Sequence, residues 1–260
     1  MNKSDLKRKT DQLSKKFHRN MMSMFFNSGT TDHVAILELH GEIGKNLSLD
    51  VAKSLIDETF RIDGLKAVLL EIDSPGGSSF ETEQIYQYLK SKMNQTNIPV
   101  LSFVMEQALS GGYWLACAGL AIYASGKLSM VGSIGVIMEY LNYDDLLEEI
   151  GIEKRTITSG VNKDLMNSEN GEKRLGVIAR EIHDIFIKVV QESRGNRLTG
   201  DSEHLFNGDF WLATQAVELG IIDGIMTTMD FIEETFKEDT KVIRIKMQEP
   251  GFAEFMKGII

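Results

Sequence analysis

Twice in this chain an apolar run ends in paired glycines that open an amphipathic stretch. Ala67–Ile72 leads into Asp73-Ser74-Pro75-Gly76-Gly77, and Val100–Met105 leads into Ala108-Leu109-Ser110-Gly111-Gly112. A strand that turns sharply into a helix is the repeating step of an α/β domain, whose buried strands read as continuous apolar segments. Proline fixes one dihedral of the first turn, and the glycines permit backbone geometry that a side chain would block.

The same alternation extends over most of the chain. Val34–Leu39 reads as the first strand, and Leu47–Arg61 as a helix through Val51, Leu55, Ile56 and Phe60 with Ser48 as its N-cap. Helices are expected at Ser79–Asn94, Ser110–Ala118, Tyr143–Ile150, Glu172–Ser193 and Leu212–Leu219, and further strands at Ala121–Ala124 and near Thr156. Lys241–Met247 fits an edge strand. No linker rich in Pro, Gly or Ser divides the chain, so the reading is one domain over 31–240, a basic arm at 1–30, and a strand and tail at 241–260.

Composition removes several function classes. Hydrophobic residues are 42% and charged residues 25% of the 260, a globular balance. The lone Cys117 allows no internal disulfide, and no Cys/His cluster has zinc spacing, so no metal or organic cofactor is expected. Residues 1–30 hold seven Lys and Arg against Asp5 and Asp11, a net of +5, which leaves −15 of the total −10 on the rest. An acidic body repels a nucleic-acid backbone, so nucleic acid is excluded as a partner.

No window approaches the ~20 apolar residues of a membrane span, and no signal-peptide core follows the N-terminal charges. The expected location is cytoplasmic. Leu6, Leu13, Phe17, Met21, Met24 and Phe25 recur at roughly helical intervals among the lysines. That pattern suits peripheral contact with an anionic inner membrane face, and equally a solvated arm packed on another subunit.

The two glycine turns match neither dinucleotide nor Walker spacing. Freed backbone N–H groups at helix starts form an anion or oxyanion site, although glycine turns also serve close packing alone. Ser110, between a strand and two glycines, resembles a nucleophile elbow; its other reading is a helix N-cap. A serine nucleophile needs a base. His18, His33, His40, His183 and His204 are not singled out by their local sequence, and a buried lysine can replace histidine because burial disfavours its charged form.

Four motifs occur in order: Glu71-Ile72-Asp73-Ser74-Pro75-Gly76-Gly77, Ala108-Leu109-Ser110-Gly111-Gly112-Tyr113, Gly132-Ser133-Ile134-Gly135-Val136 and Ser159-Gly160-Val161-Asn162-Lys163-Asp164. Together they resemble the signal peptide peptidase A (SppA) family of serine proteases, with the resemblance running from about Val34 to Asp230 and including Asn207-Gly208-Asp209-Phe210. It implies a Clp-protease/crotonase-like α/β fold of repeated ββα units. By position it implies Ser110 as nucleophile, Lys163 as general base, Ser133 as the serine that orients the lysine, and the N–H groups of Gly77 and Gly111 as oxyanion hole. In single-domain relatives adjacent subunits share the dyad, so a homo-oligomer is expected.

The chain departs from the family in Asn162, where an aromatic is common, in a longer Tyr123–Ser133 loop, and in lacking an N-terminal span. The expected activity is endopeptidase cleavage of signal-peptide remnants or other extended, unfolded polypeptides. The alternatives are a crotonase-like acyl-CoA enzyme, in which paired N–H groups hold a thioester enolate, a noncatalytic oligomeric scaffold, and a phage capsid-maturation protease using the same dyad.

Overall fold

Parallel strands bury both faces, and here residues of both parities along the first two strands are apolar and sealed from water. A computed structural model of the chain describes residues 33–139, 141–153, 155–160, 162–165 and 169–247; the expected arm at 1–30 and tail at 251–260 lie outside the described residues. β1 spans His33–His40, β2 Leu65–Ser74 and β3 Val100–Leu109. β1 pairs with β2, and β2 with β3, all parallel.

The crossovers are helical. α1, Leu49–Phe60, is capped by Ser48, whose hydroxyl accepts from the Val51 N–H, and it buries Ala52, Leu55 and Ile56. α2, Ser79–Thr96, starts at the cap Ser78 and ends at Asn97 in a left-handed conformation. α3, Gly111–Ala116, follows β3 at once and is buried throughout.

Beyond α3 the sheet forks. β4, Ile122–Ala124, pairs with Ser102–Val104 of β3, while β5, Met130–Gly132, pairs with Gln107–Leu109 further along the same edge. β6, Phe210–Leu212, runs antiparallel to β5, and β7, Gly224–Ile225, extends β4. β8, Lys241–Ile245, lies beside β1 as the expected edge strand.

The remaining helices are α4 (Asp144–Glu149), α5 (Glu169–Arg194), α6 (Ser202–Leu205), α7 (Ala213–Glu218) and α8 (Thr228–Thr235). The main core packs against α1, α2, α3 and the C-terminal half of α5. A smaller core on the other sheet face joins Val34, Ile36, Leu69, Leu101 and Phe103 to Phe231 and Ile232 of α8.

One expected strand does not form. Residues 155–158 have no strand partner among the described residues, and Ile157 is 99% exposed. A short β-prone run without a neighbouring strand or a buried face gains nothing from extended structure, and its exposed backbone is left to water. Among the described residues no helix is long and apolar enough to cross a membrane.

Candidate active site

The three parallel strands β2, β3 and β5 end at one edge, and their carboxyl ends carry the turns singled out in the sequence. In an open α/β sheet this edge is where ligands bind. Leu109 pairs with Gly132, so Ser110 and Ser133 leave neighbouring strands side by side.

Ser110 has φ 49° and ψ −120°, a conformation that costs a non-glycine residue about 1–3 kcal/mol and persists only where its surroundings enforce it. It makes no side-chain cap bond. Ser110 thus stands at the N-cap position without its side chain capping the helix, and a strained strand-to-helix turn is a geometry that displays a nucleophile. Its N–H donates to Gly132 O at 2.9 Å, and its carbonyl accepts from Trp114 N–H at 3.0 Å.

The helix below is fixed from two directions. Tyr113 donates its hydroxyl to Ile221 O at 2.8 Å, and Trp114 stacks on Phe186 of α5 with ring centroids 4.9 Å apart. Burial pushes the Tyr113 phenol well above its ordinary value, so it stays a neutral donor. The loop holding Ile221 is in turn tied to α5: Arg194 donates from Nε to Gly220 O and makes a two-point contact with Asp223 at 2.7 and 3.0 Å. Burial works to raise the Asp223 carboxyl, but Arg194 and Arg197 override it and hold it below the ordinary carboxylate range.

The glycine turn after β2 presses against this elbow. A Cβ on Gly76 would lie 2.8 Å from the Ser110 Cβ and 2.9 Å from Leu109 O, so only glycine fits. The Gly76 N–H is already engaged by Ser74 Oγ at 3.1 Å. Gly77 is bracketed by Ile43, whose N–H donates to Gly76 O and whose carbonyl accepts from Ser78 N–H. A Cβ on Gly77 would stand 2.1 Å from Ile43 O. Among the described residues the N–H groups of Gly77 and Gly111 have no hydrogen-bond partner, so two donors flank Ser110 and stay available.

Ser133 is partly buried at φ 53°, and its N–H donates to Asp209 O at 2.7 Å. That contact gives the Asn207-Gly208-Asp209 turn a place in the site. His183, which has no local sequence signal, reaches across from α5 to place Nε2 3.0 Å from Ile134 O. Only the fold could reveal it, since 49 positions separate the two residues.

Lys163 is not brought to the serines. It lies exposed in a short turn, its N–H on Gly160 O at 3.1 Å, and among the described residues its amine makes no hydrogen bond to Ser110 or Ser133. Val161 of the same motif lies outside the described residues. The segment that precedes Lys163 in the chain exposes apolar side chains: α4 buries none of its residues, and Ile137 is 84% and Leu141 77% exposed. An acidic concavity between α4 and Thr156, lined by Glu148, Glu153 and Asp164, includes none of the expected site residues. No group of three or more His, Cys, Asp or Glu among the described residues is placed to hold a metal.

Residues 92–242, more than half of the chain, match Peptidase family S49. The chain belongs to this family. The SppA resemblance carried by the four motifs is thereby shown. A protein of Enterococcus faecium that carries the name signal peptide peptidase SppA is 34% identical over 203 residues, 75% of this chain and 58% of that protein. A Brucella melitensis protein named Na(+)/H(+) antiporter NhaA is 34% identical over 238 residues, 87% of this chain. The chain spans 32% of that protein's length, about a third, and the likeness is confined to that share.

Among solved structures, the 1510-N membrane-bound stomatin-specific protease in complex with a substrate peptide aligns with a TM-score of 0.51 at 16% identity, over 89% of this chain and 98% of that one. That likeness is one of fold, and with the forked parallel sheet it gives the S49 peptidase chain a Clp-protease/crotonase-like architecture.

Proposed function

We propose that this S49 chain is a serine endopeptidase that cleaves extended polypeptides with a Ser-Lys dyad assembled between two copies. The observation that carries the reading is the strained Ser110 elbow flanked by two N–H donors, at Gly77 and Gly111, that no other described residue engages. Ser110 Oγ attacks the scissile carbonyl carbon while a neutral lysine amine takes the hydroxyl proton. The carbonyl oxygen becomes an oxyanion on the two N–H groups, where loss of one donor costs about 10²–10³ in rate. Collapse releases the amine product, with the lysine returning the proton, and water then hydrolyses the acyl-serine by the same path.

Lys163 of a neighbouring copy is the base in this reading, oriented by the Ser133 hydroxyl. A lysine accepts a proton readily only when desolvated. Exposed, and following a segment that shows apolar side chains to water, Lys163 would gain that environment on docking against a second chain. Substrates are signal-peptide remnants or other unfolded segments. Residues 1–30, with their net +5, would hold the assembly at an anionic inner membrane surface, a role that liposome flotation lost on their deletion supports and flotation unchanged by it contradicts.

The test is a fluorogenic peptide panel with wild type, Ser110→Ala and Lys163→Ala, each checked for assembly by mass. Loss of cleavage in both variants with assembly intact supports the dyad. Activity surviving Ser110→Ala rejects the nucleophile, and a well-assembled wild type that cleaves nothing favours a scaffold or an enolate-stabilising enzyme.

A further inference from the structure

Ser133 occupies a left-handed conformation that a serine holds only under external constraint. Its turn is anchored at three successive residues: Gly132 O accepts from Ser110, Ser133 N–H donates to Asp209 O, and Ile134 O faces His183 Nε2 at 3.0 Å. A carbonyl oxygen can only accept, so the facing ring nitrogen carries the hydrogen and His183 is the donor. The first two anchors are backbone groups. The third is a side chain, and it comes from a different element.

That element also holds the nucleophile. Phe186 lies one turn beyond His183 on α5 and stacks on Trp114 of α3. One face of α5 therefore touches the Ser110 helix through Phe186 and the Ser133 turn through His183. We infer that His183 is a positioning residue which fixes the Ser133 hydroxyl relative to Ser110, and so sets where the lysine amine is received. This inference rests on the reading of Ser133 as the lysine's partner.

The test compares kcat and KM for His183→Phe, which keeps a ring but donates nothing, and His183→Gln, whose amide can still donate. His183→Leu stands in for the phenylalanine variant if that one does not assemble. Each is also combined with Ser133→Ala. Loss of one hydrogen bond is expected to lower kcat about tenfold with KM unchanged, and glutamine is expected to restore most of it. In the Ser133→Ala background His183→Phe is expected to cost nothing further.

A second full loss in that background, or a glutamine variant as impaired as phenylalanine, overturns the inference. Neither outcome touches the wider reading, which fails separately if Ser110→Ala remains active.

Discussion

The surroundings of Ser110 and of Lys163 are opposites. Ser110 sits on a fully buried helix, strained and pinned by the Gly132 carbonyl, the close-packed Gly76 backbone and the Tyr113 and Trp114 anchors below it. Lys163 sits in an exposed turn within a segment that shows apolar side chains to water, Ile157 at 99% among them. On the proposed reading, one chain completes the nucleophile and its oxyanion donors but leaves the base unfinished. Apolar surface of this kind marks a contact site, and the proposed dyad requires that a contact here bring the lysine to the serine of a second copy.

The sharpest way to break the contrast is on the packed side. Gly77→Ala drives a Cβ into Ile43 O at φ 141°, displacing the N–H proposed as an oxyanion donor without changing Ser110 itself. Steady-state kinetics should show kcat down about 10²–10³-fold in a protein that still assembles. A variant with unchanged kcat would remove Gly77 from the oxyanion hole.

The clamp behind the Ser110 helix is read on stability. Asp223→Asn leaves Arg194, at 1% exposure, without its charge partner, and denaturant unfolding should register a loss of about 3–5 kcal/mol. The folded Asp223 carboxyl titrates below its ordinary value, so its contribution is full at neutral pH and fades as pH falls through the folded value. The gap between wild type and Asp223→Asn should therefore narrow below about pH 4. A gap that widened with acid would contradict the assigned shift.

The smallest effect on the chain itself belongs to the exposed segment. Ile157→Ser should alter unfolding free energy by no more than about 0.5 kcal/mol, since the side chain is 99% exposed among the described residues. Sedimentation should nonetheless show weakened assembly. Stability lost with assembly intact would mean that this segment folds back on its own chain.

The packed region was also the legible one. Continuous apolar runs marked β1 to β4, Ser48 marked the start of α1, and the double glycines marked the elbow, because each signal is local. The strand expected near Thr156 does not form because β-propensity without a pairing neighbour decides nothing. The short strands β5 and β6 and the helix α8 were missed, since few residues leave little periodicity to read. The contacts of His183 and Asp209 with the Ser133 turn arise only when distant segments meet on the folded sheet. Lys163 stands out in the sequence by family position alone, and in the fold by exposure.

The most direct measurement mixes the two inactive chains. Ser110→Ala and Lys163→Ala proteins are co-assembled, the mixed oligomers are verified by mass, and peptide cleavage is measured against each variant alone. Mixing is expected to restore cleavage that neither variant shows, because some sites then join an intact serine on one copy to an intact lysine on its neighbour. Mixed oligomers that stay inactive, while mixtures of either variant with wild type remain active, would contradict a dyad shared between copies.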